Sequence, residues 1–322
     1  MRTAPTILTL LALAGPAMQP MAAPAGSGFV YQYNLADFDG VVPFMGVRIR
    51  LDEARDEAYV LHGNAVRIFS SSGMETYSFL LDPALGVFVD LAIDADGDIY
   101  ALGYKPERAL EGRDFFILRC DYRGEPKGDI LPAGLPAELE SFGPDILVLQ
   151  GDRFYLASFD RFLAVILDRS GALQQVVDLA ALAGLDEESR ANSQLGGFAV
   201  DREGRLVFSI PTDFSIRLVT ADGSQRMRFG ESGSRPGQFG VVGAVATDTE
   251  GNIFVVDKLR SVVLVFDRDL KFATEFGRYG NRPENLVIPS DVAVSPSGKL
   301  FVSQMRKRGV SVFTRATREG RG

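Results

Sequence analysis

The last eighty residues of this 322-residue chain contain one pattern twice. Residues 243–257 and residues 291–303 each hold a short apolar run, a polar turn with a glycine and a second apolar run, and a third apolar run follows. The turn glycines, Gly251 and Gly298, are 47 positions apart. A period near 45 residues made of short strands is typical of a β-propeller or a similar repeat array. Because such arrays often present surfaces, the period favours a binding protein over an enzyme.

The same unit recurs four more times toward the N-terminus. The turn glycines Gly97, Gly151, Gly204, Gly251 and Gly298 are separated by 54, 53, 47 and 47 residues, and residues 47–69 form one further unit ahead of them. Within most units, an Asp-x-x-Gly turn between two apolar runs is typical of a β-hairpin. The sequence therefore predicts an all-β fold, a six-bladed β-propeller.

A fourth, outer strand is predicted in most units. These strands are expected at residues 74–79, 173–177, 225–229 and 272–276, and near residues 129–131 in the second unit. The sixth unit ends at Phe313 and lacks an outer strand, whereas residues 29–35 alternate polar and apolar side chains. Adding this N-terminal strand to the last blade closes the ring and covers an open sheet edge. An open solenoid or two separate sheets is the alternative.

The N-terminus has the features of a secretory signal peptide. Arg2 precedes an apolar run at residues 7–14, and small residues lead to an Ala-x-Ala site at residues 23–25. We predict a signal peptide at residues 1–25, followed by one propeller domain at residues 26–322. The apolar run is too short to span a bilayer. The prediction is therefore an exported, periplasmic or extracellular protein; a disordered tail rich in Ala and Pro is the alternative.

The net charge of the chain limits the classes of partner that it is expected to bind. The formal charge is −8, and loss of Arg2 with the leader makes it −9. An acidic, exported protein is not expected to bind nucleic acid or anionic membranes.

The single cysteine and the single histidine limit the chemistry. Cys120 cannot form an intramolecular disulfide, and its apolar surroundings favour a structural role in a strand. His62 alone cannot build a histidine-based zinc site or a Ser/His/Asp triad, so we expect it to be a polar loop residue. Asp94, Asp96 and Asp98 resemble the start of a calcium loop, but no distal Glu follows as in an EF-hand, which favours a turn.

The fifth and sixth units resemble the NHL repeat. The fifth has a Gly-rich lead and a Gly-x-Phe at residues 230–239, then an apolar-Ala-apolar-Asp strand and an aromatic-Val-x-Asp strand at residues 245–257. The resemblance covers about residues 228–313 and implies a six-bladed propeller. The loop after Asp257 departs from the family, with Lys258 and Arg260 where an Asp-x-x-Asn-x-Arg pattern is usual, so family binding residues are not transferred.

The resemblance also suggests partners and an alternative. Exported bacterial NHL proteins sometimes accompany extracytoplasmic redox proteins such as multihaem cytochromes, and this chain, without Cys-x-x-Cys-His, would be an accessory. Lactonase-type propellers instead hold a channel calcium with carboxylates. Asp90, Asp145 and Asp291 lie just before or at the start of predicted innermost strands, where such ligands occur. A calcium-dependent hydrolase or lactonase with a carboxylate-lined channel is therefore the alternative function.

Cationic residues recur in the loops between the second and third strands, which should all emerge on one face. They are Arg67 near the first loop, then Lys105, Arg108, Arg161, Lys258, Arg260, Arg306, Lys307 and Arg308, interleaved with Tyr104, Phe159, Phe162 and Phe214. Arginine with aromatics is typical of protein contact surfaces. We predict a monomeric, non-enzymatic module without a cofactor that docks a protein or an acidic ligand on this face. Solvated loop cations are the alternative.

Overall fold

The computed structural model describes residues 28–105, 115–139 and 142–316. This part of the chain is almost entirely β, and it forms six four-stranded antiparallel sheets and one small hairpin. The predicted signal peptide lies outside the described residues. Among the residues described, no helix is long and apolar enough to cross a membrane.

Strands are numbered along the chain. The N-terminal part forms β1 (Phe29–Asn34) and a hairpin of β2 (Ala36–Asp37) and β3 (Gly40–Val41). Blades one to three consist of β4 (Arg48–Asp52), β5 (Glu57–His62), β6 (Ala65–Phe69) and β7 (Glu75–Leu80); β8 (Val87–Ile93), β9 (Ile99–Tyr104), β10 (Phe115–Cys120) and β11 (Pro126–Ile130); and β12 (Ile146–Gln150), β13 (Arg153–Ser158), β14 (Leu163–Asp168) and β15 (Leu173–Asp178). Blades four to six consist of β16 (Gly197–Val200), β17 (Leu206–Ile210), β18 (Ser215–Val219) and β19 (Arg226–Phe229); β20 (Val242–Thr247), β21 (Ile253–Asp257), β22 (Val262–Phe266) and β23 (Phe272–Phe276); and β24 (Pro289–Val294), β25 (Lys299–Gln304) and β26 (Val310–Arg315) with β1.

Short helices lie in the connections. Two α-helices, α1 (Leu179–Ala183) and α2 (Glu187–Ala191), join blades three and four, where the sequence predicts a short helix. The side chains of Asp178 and Asp186 cap their N-termini. Single 3-10 turns occur at Ala137–Leu139 and Pro211–Asp213.

The N-terminal strand closes the ring, as the sequence predicts. β1 pairs antiparallel with β26, so that Phe29 faces Arg315 and Asn34 faces Ser311. The innermost strands β4, β8, β12, β16, β20 and β24 contact one another in that order, and β24 contacts β4. The first strand and the last three strands therefore form one blade, and the fold is a closed six-bladed propeller.

Hydrophobic clusters fill the spaces between neighbouring blades. Between blades six and one, for example, Ile49 and Phe69 pack with Phe301 and Val312. Because a blade is covered on both faces, its central strands are continuous apolar runs rather than alternating ones. This explains why the repeat is visible in the sequence.

The Asp-x-x-Gly segments are hairpin turns, as expected. Asp94 accepts hydrogen bonds from the N–H groups of Asp96 (3.1 Å) and Asp98 (2.9 Å), and Gly97 has a φ of +88° that favours glycine. Asp248 makes the same contacts with Glu250 and Asn252. The outer strand of blade two, Pro126–Ile130, begins earlier than the predicted segment near residues 129–131. Because Pro and Gly are poor strand formers, the sequence pattern did not show that the strand begins at Pro126.

Candidate functional site at the loop face and channel

The loops between second and third strands emerge at the same end of the ring as the entries to the innermost strands; we call this end the loop face. Of the predicted cations there, Arg161, Arg306 and Lys307 are exposed. Lys105 is partly exposed, with its Nζ 3.6 Å from Asp129 and 4.1 Å from the centre of the Phe116 ring. Arg108 lies outside the described residues.

Three other predicted cations are held within the fold. Arg67 lies in strand β6 rather than in a loop, and it forms ion pairs with Asp37 and Glu75. Arg260 pairs with Glu275 at 2.6 Å and donates to the carbonyl of Gln238 at 2.8 Å. Arg308 donates to three backbone carbonyls, those of Asn281, Arg282 and Asn285. These side chains stabilise loops and connections, which corrects their assignment to an open cationic ring.

The predicted aromatics contribute less to the surface than the sequence suggests. Tyr104 is 6% exposed, and its hydroxyl donates to the carbonyl of Pro144 at 2.5 Å. Phe162 is fully buried, whereas Phe159 and Phe214 are half-buried. Aromatic residues at strand and loop junctions fill the space between blades, and the sequence does not separate that role from surface contact.

Four exposed apolar residues lie on the loop face, in the connections of blades five, six and one. These residues, Met45, Val241, Leu259 and Ile288, which we call the apolar arc, lie outside the strands, and Leu259 is 71% exposed. Lys258 N–H donates to the Val241 carbonyl at 2.9 Å, and Met305 N–H donates to the Ile288 carbonyl at 3.3 Å. Arg306 and Lys307 follow Met305 directly. The arc is thus bordered by two exposed cations, and sequence reasoning missed it because its members lie in non-repeating connections.

Beside Arg161 the loop face also has an open groove of about 740 Å³. It lies between α2 and blade four, and Asn192, Gln194 and Thr212 are among its lining residues. The groove adds hydrogen-bonding side chains to the face.

At the centre of the ring, Arg50 joins two of the three predicted channel carboxylates. Its guanidinium lies 2.5 Å from Asp90 and 3.5 Å from Asp291. Burial acts to lower the pKa of Arg50, but these two carboxylates outweigh it and raise the pKa. The carboxylates also fasten neighbouring blades, because Asp90 accepts from Leu147 N–H and Asp291 from Ile49 N–H.

The third channel carboxylate, Asp145, lies nearer the loop face. It accepts a hydrogen bond from Phe159 N–H at 2.8 Å, and burial raises its pKa. It is not within ion-pair distance of Arg50. Arg50 thus bridges two of the three predicted channel carboxylates. A signal for this was present in the sequence, since the first unit has Arg48 and Arg50 where other innermost strands are small or apolar.

Other residues singled out by the sequence have structural roles. Asp98 pairs with Arg119 and Lys127, and the described ranges contain no group of three or more His, Cys, Asp or Glu side chains placed to hold a metal ion. Cys120 is fully buried, and burial raises its pKa to about 12, which opposes thiolate chemistry. His62 lies exposed at the end of β5 with its ring centre 6.0 Å from that of Phe44.

No protein-family model matches the chain, and no curated protein matches it. Several solved structures are similar to it. Virginiamycin B lyase from Staphylococcus aureus is 13% identical with a TM-score of 0.58, over 89% of this chain and 99% of that one. A protein of unknown function from Bacteroides thetaiotaomicron is 12% identical with a TM-score of 0.62, over 87% and 74% of the two chains.

The WD40 propeller domain of Doa1 is also similar. It is 12% identical with a TM-score of 0.54, over 84% of this chain and 79% of that one. At such identities the likeness shows the fold alone. The chain is a six-bladed β-propeller.

Proposed function

We propose that this protein is a non-enzymatic binding module that docks an acidic protein on its loop face. The observation that carries the proposal is the apolar arc with exposed Arg306 and Lys307 at its border. Exposed apolar side chains grouped on one face of a domain mark interaction sites. Protein interfaces typically combine such a centre with arginine and a polar rim.

Charge complementarity identifies the class of partner. The chain is acidic overall, with a formal charge of −8, yet Arg161, Arg306 and Lys307 are exposed on this one face. An acidic partner would be attracted to the cations that lie beside the apolar arc. Association should therefore weaken as salt is added.

The proposal includes export and an NHL-type ancestry. The leader-like residues 1–25 support an exported partner, and the repeat pattern of residues 228–313 supports an NHL-like origin of the blades. By the same resemblance, an extracytoplasmic redox protein is one candidate partner.

Enzymatic alternatives have less support. A calcium-dependent hydrolase would use Asp90, Asp145 and Asp291, but two of these carboxylates already form ion pairs with Arg50. Chelator sensitivity of the thermal midpoint, restored by calcium, would favour that alternative. One similar structure is a catalytically inactive histidine-to-alanine variant of virginiamycin B lyase with quinupristin. The single histidine of this chain, His62, is on the surface of blade one with no carboxylate partner among the described residues.

Affinity capture from the native envelope fraction tests the proposal. Wild-type protein should retain an acidic protein, and the double variant Arg306→Glu, Lys307→Glu should lose it. A matched control, Arg268→Glu with Lys271→Glu, changes two exposed cations in the turn between β22 and β23 at the opposite end. Equal retention by both double variants, or equal loss, would contradict docking on the loop face.

A further inference from the structure

The outer strand of blade one, β7, is an open sheet edge. The N–H of Leu81 donates to the carbonyl of Asn64, which lies opposite it in the register of β6 and β7. Because hydrogen-bonded and non-hydrogen-bonded pairs alternate along an antiparallel ladder, the backbone groups of Ser78 and Leu80 point away from β6. In the part of the chain that the structure describes, these outward groups have no hydrogen-bond partner.

β7 lacks the features that protect the other outer strands. Charged side chains, a proline, a bulge or a covering helix keep a sheet edge from pairing with another chain. β11 and β19 carry exposed charged side chains, β23 contains Glu275, β15 leads into helix α1, and β1 has a bulge in its middle. From Tyr77 to Leu80, β7 has no charged residue and no irregular pairing. These two side chains are 44% and 63% exposed.

Two aromatic side chains of β7 lie on one face of this edge. The ring centres of Tyr77 and Phe79 are 6.1 Å apart. The Tyr77 hydroxyl donates to the Arg123 carbonyl at 3.4 Å, and the Phe79 ring lies against Gly124, in the turn between β10 and β11 of blade two. Because this turn already holds both rings, little side-chain freedom is lost when another strand pairs with β7.

The segment at residues 76–80 is complementary to itself about a twofold axis through Ser78. In an antiparallel pair of two such segments, Ser78 faces its own counterpart, and Tyr77 faces Phe79 of the other copy. The outward backbone groups then form the hydrogen-bonded pairs, and the aromatics take the non-hydrogen-bonded positions, where side chains approach most closely. Such cross-strand aromatic pairs stabilise a sheet. Glu75, at the start of the strand, already forms an ion pair within blade one.

We propose that the chain forms a homodimer in which β7 pairs antiparallel with β7 of a second copy. Two four-stranded blades then become one sheet of eight strands. A twofold contact of this kind closes after two copies. The paired strands are short, so we expect a weak dimer. Each copy has a formal charge of −8, and salt should strengthen the dimer because it screens their repulsion. The proposal differs from the monomer that the sequence predicts, and it does not depend on the docking function.

Sedimentation velocity of the whole protein, from micromolar to near-millimolar concentration, tests the dimer. Wild type should pass reversibly from monomer to dimer, with more dimer at higher salt. Ser78→Lys places two positive charges opposite each other and should raise the dissociation constant by about tenfold or more. The matched control, Gln174→Lys, changes an exposed residue of the outer strand of blade three and should dimerise as wild type does. An equimolar mixture of Ser78→Lys and Ser78→Asp should recover the dimer, because opposite charges then face each other.

Any of four results would overturn the proposal. They are a wild type that stays monomeric, an unchanged dimer in Ser78→Lys, equal weakening in Gln174→Lys, and no recovery of the dimer in the mixture. Thermal melts of each variant separate loss of pairing from loss of folding. A monomeric wild type whose captured partner is lost in Ser78→Lys but retained by Gln174→Lys would assign the edge to a strand of that partner and also overturn the dimer. Loss of partner capture in Arg306→Glu with Lys307→Glu, with the dimer unchanged, would concern only the docking function.

Discussion

At the centre of the ring, the Arg50 guanidinium pairs with the carboxylates of Asp90 and Asp291. Without it, these would be two buried negative charges with no cation beside them. All three groups are largely buried, with 20%, 0% and 8% of their side chains exposed. Because each carboxylate also accepts a backbone N–H of the next blade, this charge cluster fastens four blades.

Removing the guanidinium should therefore be costly. Arg50→Met is expected to lower the free energy of unfolding by about 3–5 kcal/mol, because it leaves two buried carboxylates uncompensated. The matched control, Arg202→Met, breaks an exposed pair with Glu53 and should change it by less than about 1 kcal/mol. Urea denaturation measures both. Similar small effects for the two variants would show that the cluster does not stabilise the ring.

Replacing Lys258 should change stability in the opposite direction to replacing Arg50. Its folded-state pKa is lowered below that of the unfolded chain, so the folded protein binds fewer protons between those two values. The free energy of unfolding should therefore rise with pH from the lowered pKa up to about 10.4, the unfolded value. Lys258→Met should remove this rise and stabilise the protein by about 0.5–1 kcal/mol at neutral pH.

Thermal midpoints from pH 7 to 10 for wild type and Lys258→Met test whether stability rises with pH, as predicted. Lys307→Met serves as the exposed control. A midpoint that falls as pH rises through this range in wild type only, or a destabilised Lys258→Met, would contradict the assignment of an unpaired, half-buried lysine.

Among the elements, β1 determines whether the ring is closed. Phe29 is 5% exposed, and its ring centre lies 4.8 Å from that of Phe276 and 6.0 Å from that of Phe254 in blade five. The strand thus joins the last two blades through packing as well as through its pairing with β26.

Phe29→Ala should reduce the free energy of unfolding by about 3–5 kcal/mol, the usual cost of deleting a buried aromatic ring. Val30, the next residue, is 49% exposed, so Val30→Ala should stay within about 0.5 kcal/mol. Guanidinium denaturation gives both values. A Phe29→Ala variant as stable as Val30→Ala would mean that β1 is not part of the core of the last blade.

The strands and blades could be predicted from the sequence better than the contacts of the candidate site residues. The six blades and the closing strand follow from apolar runs and Asp-x-x-Gly turns, because each repeated unit buries the same strands and needs the same turn. The sequence could not show that Tyr104 is buried or that Arg260 and Arg308 bond to nearby loops, because those contacts depend on how connections fold over blade ends. Arg50 was missed for a related reason: its two carboxylates lie in other blades, 40 and 241 positions away.

For the whole molecule, the two ends of the ring differ in construction. The end with the Asp-x-x-Gly hairpins is built from local turns, in which each aspartate is satisfied by its own backbone. The loop face instead combines the apolar arc with the exposed cations Arg306 and Lys307. A face on which exposed apolar residues and cations lie side by side is suited to bind a partner in one orientation.

Site-specific photo-crosslinking in the native envelope tests this most directly. A photoreactive residue replaces Leu259 in the apolar arc or, as the control, Asp222 in the hairpin turn before β19 at the opposite end. We expect that the Leu259 position crosslinks one acidic protein, that Arg306→Glu with Lys307→Glu abolishes the crosslink, and that the Asp222 position gives none. The same protein crosslinked from Asp222, or a Leu259 crosslink that survives the charge reversal, would contradict docking on the loop face.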